Sequence, residues 1–226
     1  LTLGSANTYS GATTVNGAST LKLGIADAIG SGSAVTLNGT STLDMNGFSD
    51  TIGSLAGVAG TFVTSGVAGA VTLTAGGNNT STTYAGVIQN GGGTVALTKA
   101  GTGALTLSGV NTYGGATTVN SSGSLKVGVA NALSATSAVT LNGTSTLDLN
   151  GFDTAIGSLA GVAGTFVTNG GGGAATLTAG ADNSSTTYAG VIQNGASATA
   201  LTKAGTGALT LSGANTYSGA TTVNSS

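Results

Sequence analysis

LTLSGVNTYGGATTVN, Leu105–Asn120, decides how this chain is read. Its forerunner, LTLGSANTYSGATTVN, occupies Leu1–Asn16, and its successor, LTLSGANTYSGATTVN, occupies Leu209–Asn224. The second string begins as far from the first as the third does from the second. Residues 1–104 align on 105–208 without a gap, and 74 of the 104 positions are identical. Self-similarity at a fixed period marks a repeat architecture. We therefore read residues 1–226 as one continuous solenoid, with repeat one at 1–104, repeat two at 105–208 and a partial third repeat at 209–226. Solenoid ends normally carry polar caps. None is visible at either end, so the chain reads as a piece of a longer array that continues past Ser226.

A shorter period lies inside the long one. Strand-like runs recur at Leu1–Leu3, Leu21–Leu23, Leu43–Met45, Phe62–Thr64 and Thr83–Val87, then return at Leu105. A second set sits between them at Thr13–Val15, Val35–Leu37, Ile52–Leu55, Val71–Leu73 and Val95–Leu97. Apolar residues alternate with Thr in these runs, the period-2 signature of a strand buried on one face. Five steps per repeat predict coils of about 20.8 residues, each built from two or three short strands stacked ~4.8 Å apart. The dipeptides Asn16-Gly17, Asn38-Gly39, Asn46-Gly47 and Asn90-Gly91 leave a rival open, an antiparallel meander joined by two-residue hairpins. The steady step favours the all-β parallel solenoid. Gly24–Ile29 is the best candidate for a helical turn and reads as a corner.

Composition narrows the chemistry. The 226 residues include 42 Gly and 41 Thr but only 4 Lys and 6 Asp as charged groups, with no Arg, Glu, His, Cys, Pro or Trp. Without Cys or His there are no thiolate or imidazole ligands, no thiol nucleophile and no His-dependent triad. With four lysines and a net charge of −2, a phosphate-neutralising surface is not supported, so no nucleic-acid partner is expected. No apolar run reaches the length that spans a bilayer as a helix. Thr suits outward strand positions, and Gly and Asn suit corners that need positive φ. Absence of Pro fits coils whose N–H groups must bond to their neighbours.

The string LTKAGTGALTLSGVNTYGGATTVN, Leu97–Asn120, and its copy LTKAGTGALTLSGANTYSGATTVN, Leu201–Asn224, resemble the passenger-associated repeat of bacterial autotransporters. The intervening LDMNGFSDTIGSLAG and TYAGVIQNGG are similar to the linking text of those proteins. The resemblance implies a right-handed parallel β-helix exported to the surface of a Gram-negative-type cell. It implies little about activity, because such passengers include adhesins, biofilm proteins and some enzymes.

Site candidates are few. The carboxylates are Asp27, Asp44, Asp50, Asp148, Asp153 and Asp182; the amines are Lys22, Lys99, Lys126 and Lys203. Only Asp44/Asp148 and the lysines recur in both repeats, and no paired carboxylates suited to acid–base work converge. We expect no catalytic residue, no metal ligand and no cofactor, and read the charges as solvated strand faces. Gly170–Gly173 is not followed by Asp as a calcium β-roll requires, and Gly91–Gly93 lacks the Lys-Ser/Thr of a phosphate loop. The pairs Thr72/Thr74 and Thr176/Thr178 are too sparse for a regular ice-binding array. Asp44 follows Lys22 by close to one coil, Asp148 follows Lys126 by the same interval, and apolar neighbours flank each of them. Period 2 turns all four outward, which predicts two exposed inter-coil ion pairs that hold register. Tyr9, Tyr113 and Tyr217, with Tyr84 and Tyr188, could form a surface aromatic platform or pack at coil corners.

These features suit reach and continuity more than chemistry. The function expected is a non-enzymatic extracellular or cell-surface structural repeat, a stalk, fibre or matrix component that self-associates end to end or laterally. The alternative is an adhesin that binds a glycan or protein through one solenoid face.

Overall fold

The computed structural model describes residues 1–224. Every strand ladder among them is parallel, so the Asn-Gly dipeptides do not make hairpins. The chain winds into a β-solenoid of three faces, visited in a fixed order. One turn illustrates it. Ser54–Gly57 lies on the first face, Phe62–Thr64 on the second and Ala70–Ala75 on the third; Thr82–Tyr84 then returns to the first, with Tyr84 paired to Gly57.

The first face is a sheet of nine strands from Thr13–Val15 to Val191–Ile192, and the third one of eight from Asp50–Ile52 to Leu209–Leu211. The second face is a five-stranded sheet up to Val87–Ile88 that resumes as four strands from Thr154–Ile156. Between the two sheets the backbone contributes only single hydrogen bonds, Thr112 N to Ile88 O and Asn131 N to Asp153 O, each 3.0 Å.

Strict alternation builds the core. On the second face Leu21, Leu43, Val63 and Ile88 stack rung on rung, all nearly inaccessible to solvent, while Lys22, Asp44 and Thr64 between them face outward. Burying each such aliphatic side chain stabilises the fold by roughly 1.5–3 kcal/mol. Corners are made by Asn and Gly. Gly17 and Gly39 have φ of 66° and 70° and stack directly; a Cβ on Gly39 would meet Gly17 O at 2.9 Å. Beside them Asn38 Nδ2 donates to Asn16 Oδ1 at 3.0 Å, and Asn142 repeats this on Asn120. The Gly24–Ile29 stretch contains no helix and is a corner, with Asp27 at φ 52°.

The coil is longer than the sequence spacing predicts. Its length varies: the step from Thr2 to its stacked partner Lys22 is short, that from Thr13 to Val35 is longer, and that from Gly57 to Tyr84 is longer still. The step of 22 residues from Asn16 to Asn38, repeated from Asn120 to Asn142, is typical. The strands accordingly stack into about ten turns. The reason lies at two tight corners. The run Ile52–Leu55 is two strands on different faces, separated only by Gly53, where a Cβ would lie 2.4 Å from Gly32 O. The run Thr83–Val87 likewise holds two strands, parted by Ala85-Gly86. A corner of one or two residues leaves the hydrophobic pattern unbroken, so two faces look like one strand.

A repeat is therefore not five turns. Leu105, the counterpart of Leu1, pairs with Thr82 on the first face, whereas Thr2–Leu3 lies on the second. One repeat makes fourteen face-to-face steps, or four and two-thirds turns. Each repeat presents its sequence one face away from where its predecessor did.

Candidate functional site

The structure places Lys22 opposite Asp44 on adjacent rungs, with Nζ to Oδ2 at 3.7 Å; Lys126 and Asp148 stand likewise at 3.4 Å. The carboxylate does more than meet the amine. Asp44 Oδ1 accepts the Asn46 N–H at 2.9 Å and the Gly66 N–H, from the next coil, at 2.8 Å. Asp148 does the same with Asn150 and Gly170. Each aspartate thus ties three successive coils, and those charge-assisted bonds outweigh an exposed ion pair worth roughly 0–1 kcal/mol.

The tyrosines do not form a surface platform. Tyr84, Tyr113 and Tyr188 are fully buried. Tyr84 lies on Gly57 and Tyr188 on Gly161, where a Cβ would meet ring carbons at 2.8 Å, so these corners need glycine. Tyr9 is exposed and Tyr217 partly so, in the first and last coils of the stack. Each copy of NTY makes the same local contact: the ring hydroxyl bonds to the Thr four residues on, at 2.9 Å for Tyr9, and at 2.7 Å for both Tyr113 and Tyr217. In repeat two the chain of bonds continues from Thr117 to Ser137 and on to Gly115 O. Burial raises the tyrosine hydroxyls, Tyr113 and Tyr188 to about 12 and Tyr84 beyond the ordinary range.

Two charged residues expected on solvated faces point into the core instead, and Asp148, though outward, is covered as well. Lys99 is buried. It follows Leu97 and Thr98 on the third face, so alternation sends Thr98 out and Lys99 in. Its ammonium donates to the carbonyls of Ala100 and Gly101, and burial lowers its pKa. Gly76 and Gly123 leave the space it fills; a Cβ on either would come within 3.0 Å of Nζ. Lys203 repeats the carbonyl contacts but is half-buried. Asp50 is also inward and buried, with Oδ2 accepting the Ile29 N–H at 3.0 Å. Asp153 and Asp182 stay in outer turns, accepting the Thr176 and Ser184 N–H groups.

A further residue was missed because it is neither charged nor aromatic. Asn111, the Asn of NTY, takes the Ile88 N–H from the coil before at 2.7 Å and donates to Ala132 O in the coil after. Asn7 donates to Ala28 O and Asn215 accepts from Ile192 N. This amide carries the stack where the strands lapse, and its recurrence beside each Tyr was the available signal. Among the described residues no three of His, Cys, Asp and Glu come together as a metal site would require.

The molecule is thus a parallel β-solenoid whose interior polar groups join coil to coil. Three stretches, residues 1–23, 97–127 and 201–225, match the model of the passenger-associated-transport-repeat. The second matched stretch contains Asn111 and Thr117, whose side chains bond to neighbouring coils, and Lys99 and Tyr113, which bond within their own coil. Neither curated proteins nor solved structures gave a match. No helix is long and apolar enough to cross a membrane among the described residues.

Proposed function

We propose that the chain is a non-catalytic structural segment of an autotransporter-type passenger, exposed on or secreted from a Gram-negative cell, and that it is a stiff stalk or fibre element that self-associates into filaments or matrix; the three passenger-associated-transport-repeat matches support the passenger part of this reading. One observation carries this reading: polar side chains of both the outward and the inward faces are bonded to neighbouring coils. Asp44, Asn111, Thr117 and Asp148 each bond to residues about one coil away. Such groups hold a rod together and leave no converging acid, base or nucleophile. About ten turns at ~4.8 Å make a rod of roughly 50 Å.

The adhesin alternative loses the aromatic platform it needed, since three of the five rings are buried and hot spots favour exposed Tyr, Trp and Arg. Electron microscopy with light scattering tests the proposal: concentration-dependent ordered filaments are expected. Rods that stay single while binding a glycan or protein saturably would replace it with the adhesin reading, and polysaccharide turnover lost on carboxylate substitution would overturn it.

A further inference from the structure

At one inward position the repeats exchange an ionisable side chain for a neutral one. Asp50 begins the strand Asp50–Ile52 on the third face and points inward with Ile52; it is 1% exposed. Its Oδ2 accepts the Ile29 N–H from the coil below, and its Oδ1 has no hydrogen-bond partner. The strand above, Ala70–Ala75, pairs Leu73 with Asp50 and contains no ionisable residue. The segment below supplies only Asp27, a like charge. No lysine forms an ion pair with it; those found join Lys22 to Asp44 and Lys126 to Asp148. In repeat two the same two places hold Thr154 and Asn131, and neither can ionise.

A carboxylate here is buried, half-satisfied and repelled by a neighbour, whereas the neutral acid carries no charge to desolvate. Burial is the main reason the Asp50 carboxyl is pushed up to about 6; Asp27 adds to it and the Ile29 N–H opposes it.

We propose that Asp50 makes the 27–29 and 50–52 stretches of repeat one a proton-operated weak point, tight when the carboxyl is protonated and opening more readily as it ionises, while 131–133 and 154–156 of repeat two do not respond. The folded group holds its proton to higher pH than the unfolded one, whose ordinary value is 3.8. The stabilisation is therefore present in acid, is lost as pH rises from about 4 to about 6, and changes no further above that.

Native-state hydrogen exchange on the whole chain tests this. Protection factors at Ile29 and Ile52 are taken as a ratio to those at their counterparts Leu133 and Ile156. The ratio should fall by about fiftyfold between pH 4 and pH 7. Asp50→Thr, which copies repeat two, and Asp50→Asn, which keeps an acceptor for Ile29, should each flatten it. A pH-independent wild-type ratio overturns the proposal, as does the same fall in Asp50→Thr.

Discussion

Lys126 and Lys99 are the same side chain on two strands of one stack, and they live under opposite rules. Lys126 stands between Leu125 and Val127, faces outward and meets the largely covered Asp148 at 3.4 Å, with its own ammonium open to water. Lys99 stands two residues after Leu97, faces inward and has only backbone carbonyls for company. The difference teaches that in so thin a solenoid the parity of a position decides its chemistry. An outward charge decorates the rod. An inward one replaces core, and it needs small neighbours and backbone groups to bond to.

The sharpest way to break this comparison is to put a charge where parity forbids it. Leu107→Asp places an unpaired carboxylate in a fully buried site and should cost several kcal/mol, about 4 or more, whereas Thr106→Asp, one residue away and outward, should stay within about 0.5 kcal/mol. Equal losses of Tm for the two would reverse the faces. Next in size is Lys99→Ala, which empties a filled space between Gly76 and Gly123 and strands the Ala100 and Gly101 carbonyls; about 2–4 kcal/mol is expected in denaturant unfolding. Burial holds the folded Lys99 below its ordinary 10.5, so the unfolded chain binds more protons and stability should climb as pH approaches that value. A Lys99→Met variant should lack the climb.

Asn111→Ala removes bonds to both adjacent coils where no strand ladder helps, and about 1–3 kcal/mol should be lost. Smallest is Lys126→Ala, at about 0–1 kcal/mol and erased by salt, because Asp148 keeps its bonds to Asn150 and Gly170. A loss above roughly 2 kcal/mol would show that the ion pair, and not the backbone contacts of the carboxylate, holds the register.

Much of this was legible beforehand, for a definite reason. Period 2 plus a spacing of one coil placed Lys22 beside Asp44, since a parallel stack converts sequence distance directly into neighbouring rungs. The same parity argument applied to Leu97-Thr98-Lys99 and Asp50-Thr51-Ile52 turns Lys99 and Asp50 inward; composition alone suggests the reverse, because charges are usually solvated. The turn count was not legible, because Gly53 makes a corner in one residue and leaves the alternation intact. Tyrosine burial was also hidden: whether Tyr84 is covered depends on Gly57, which lies a full coil back along the chain.

The two-thirds left over in each repeat turns the chain into a screw. Successive copies are related by an advance of about 22 Å and a rotation that carries each face onto another. Whatever bend, charge or seam one repeat lends to the rod, the next aims a third of the circle away, and only the fourth copy aims it where the first did. In an array of such repeats lateral biases cancel around the axis, and an irregular unit yields a straight shaft with no preferred side.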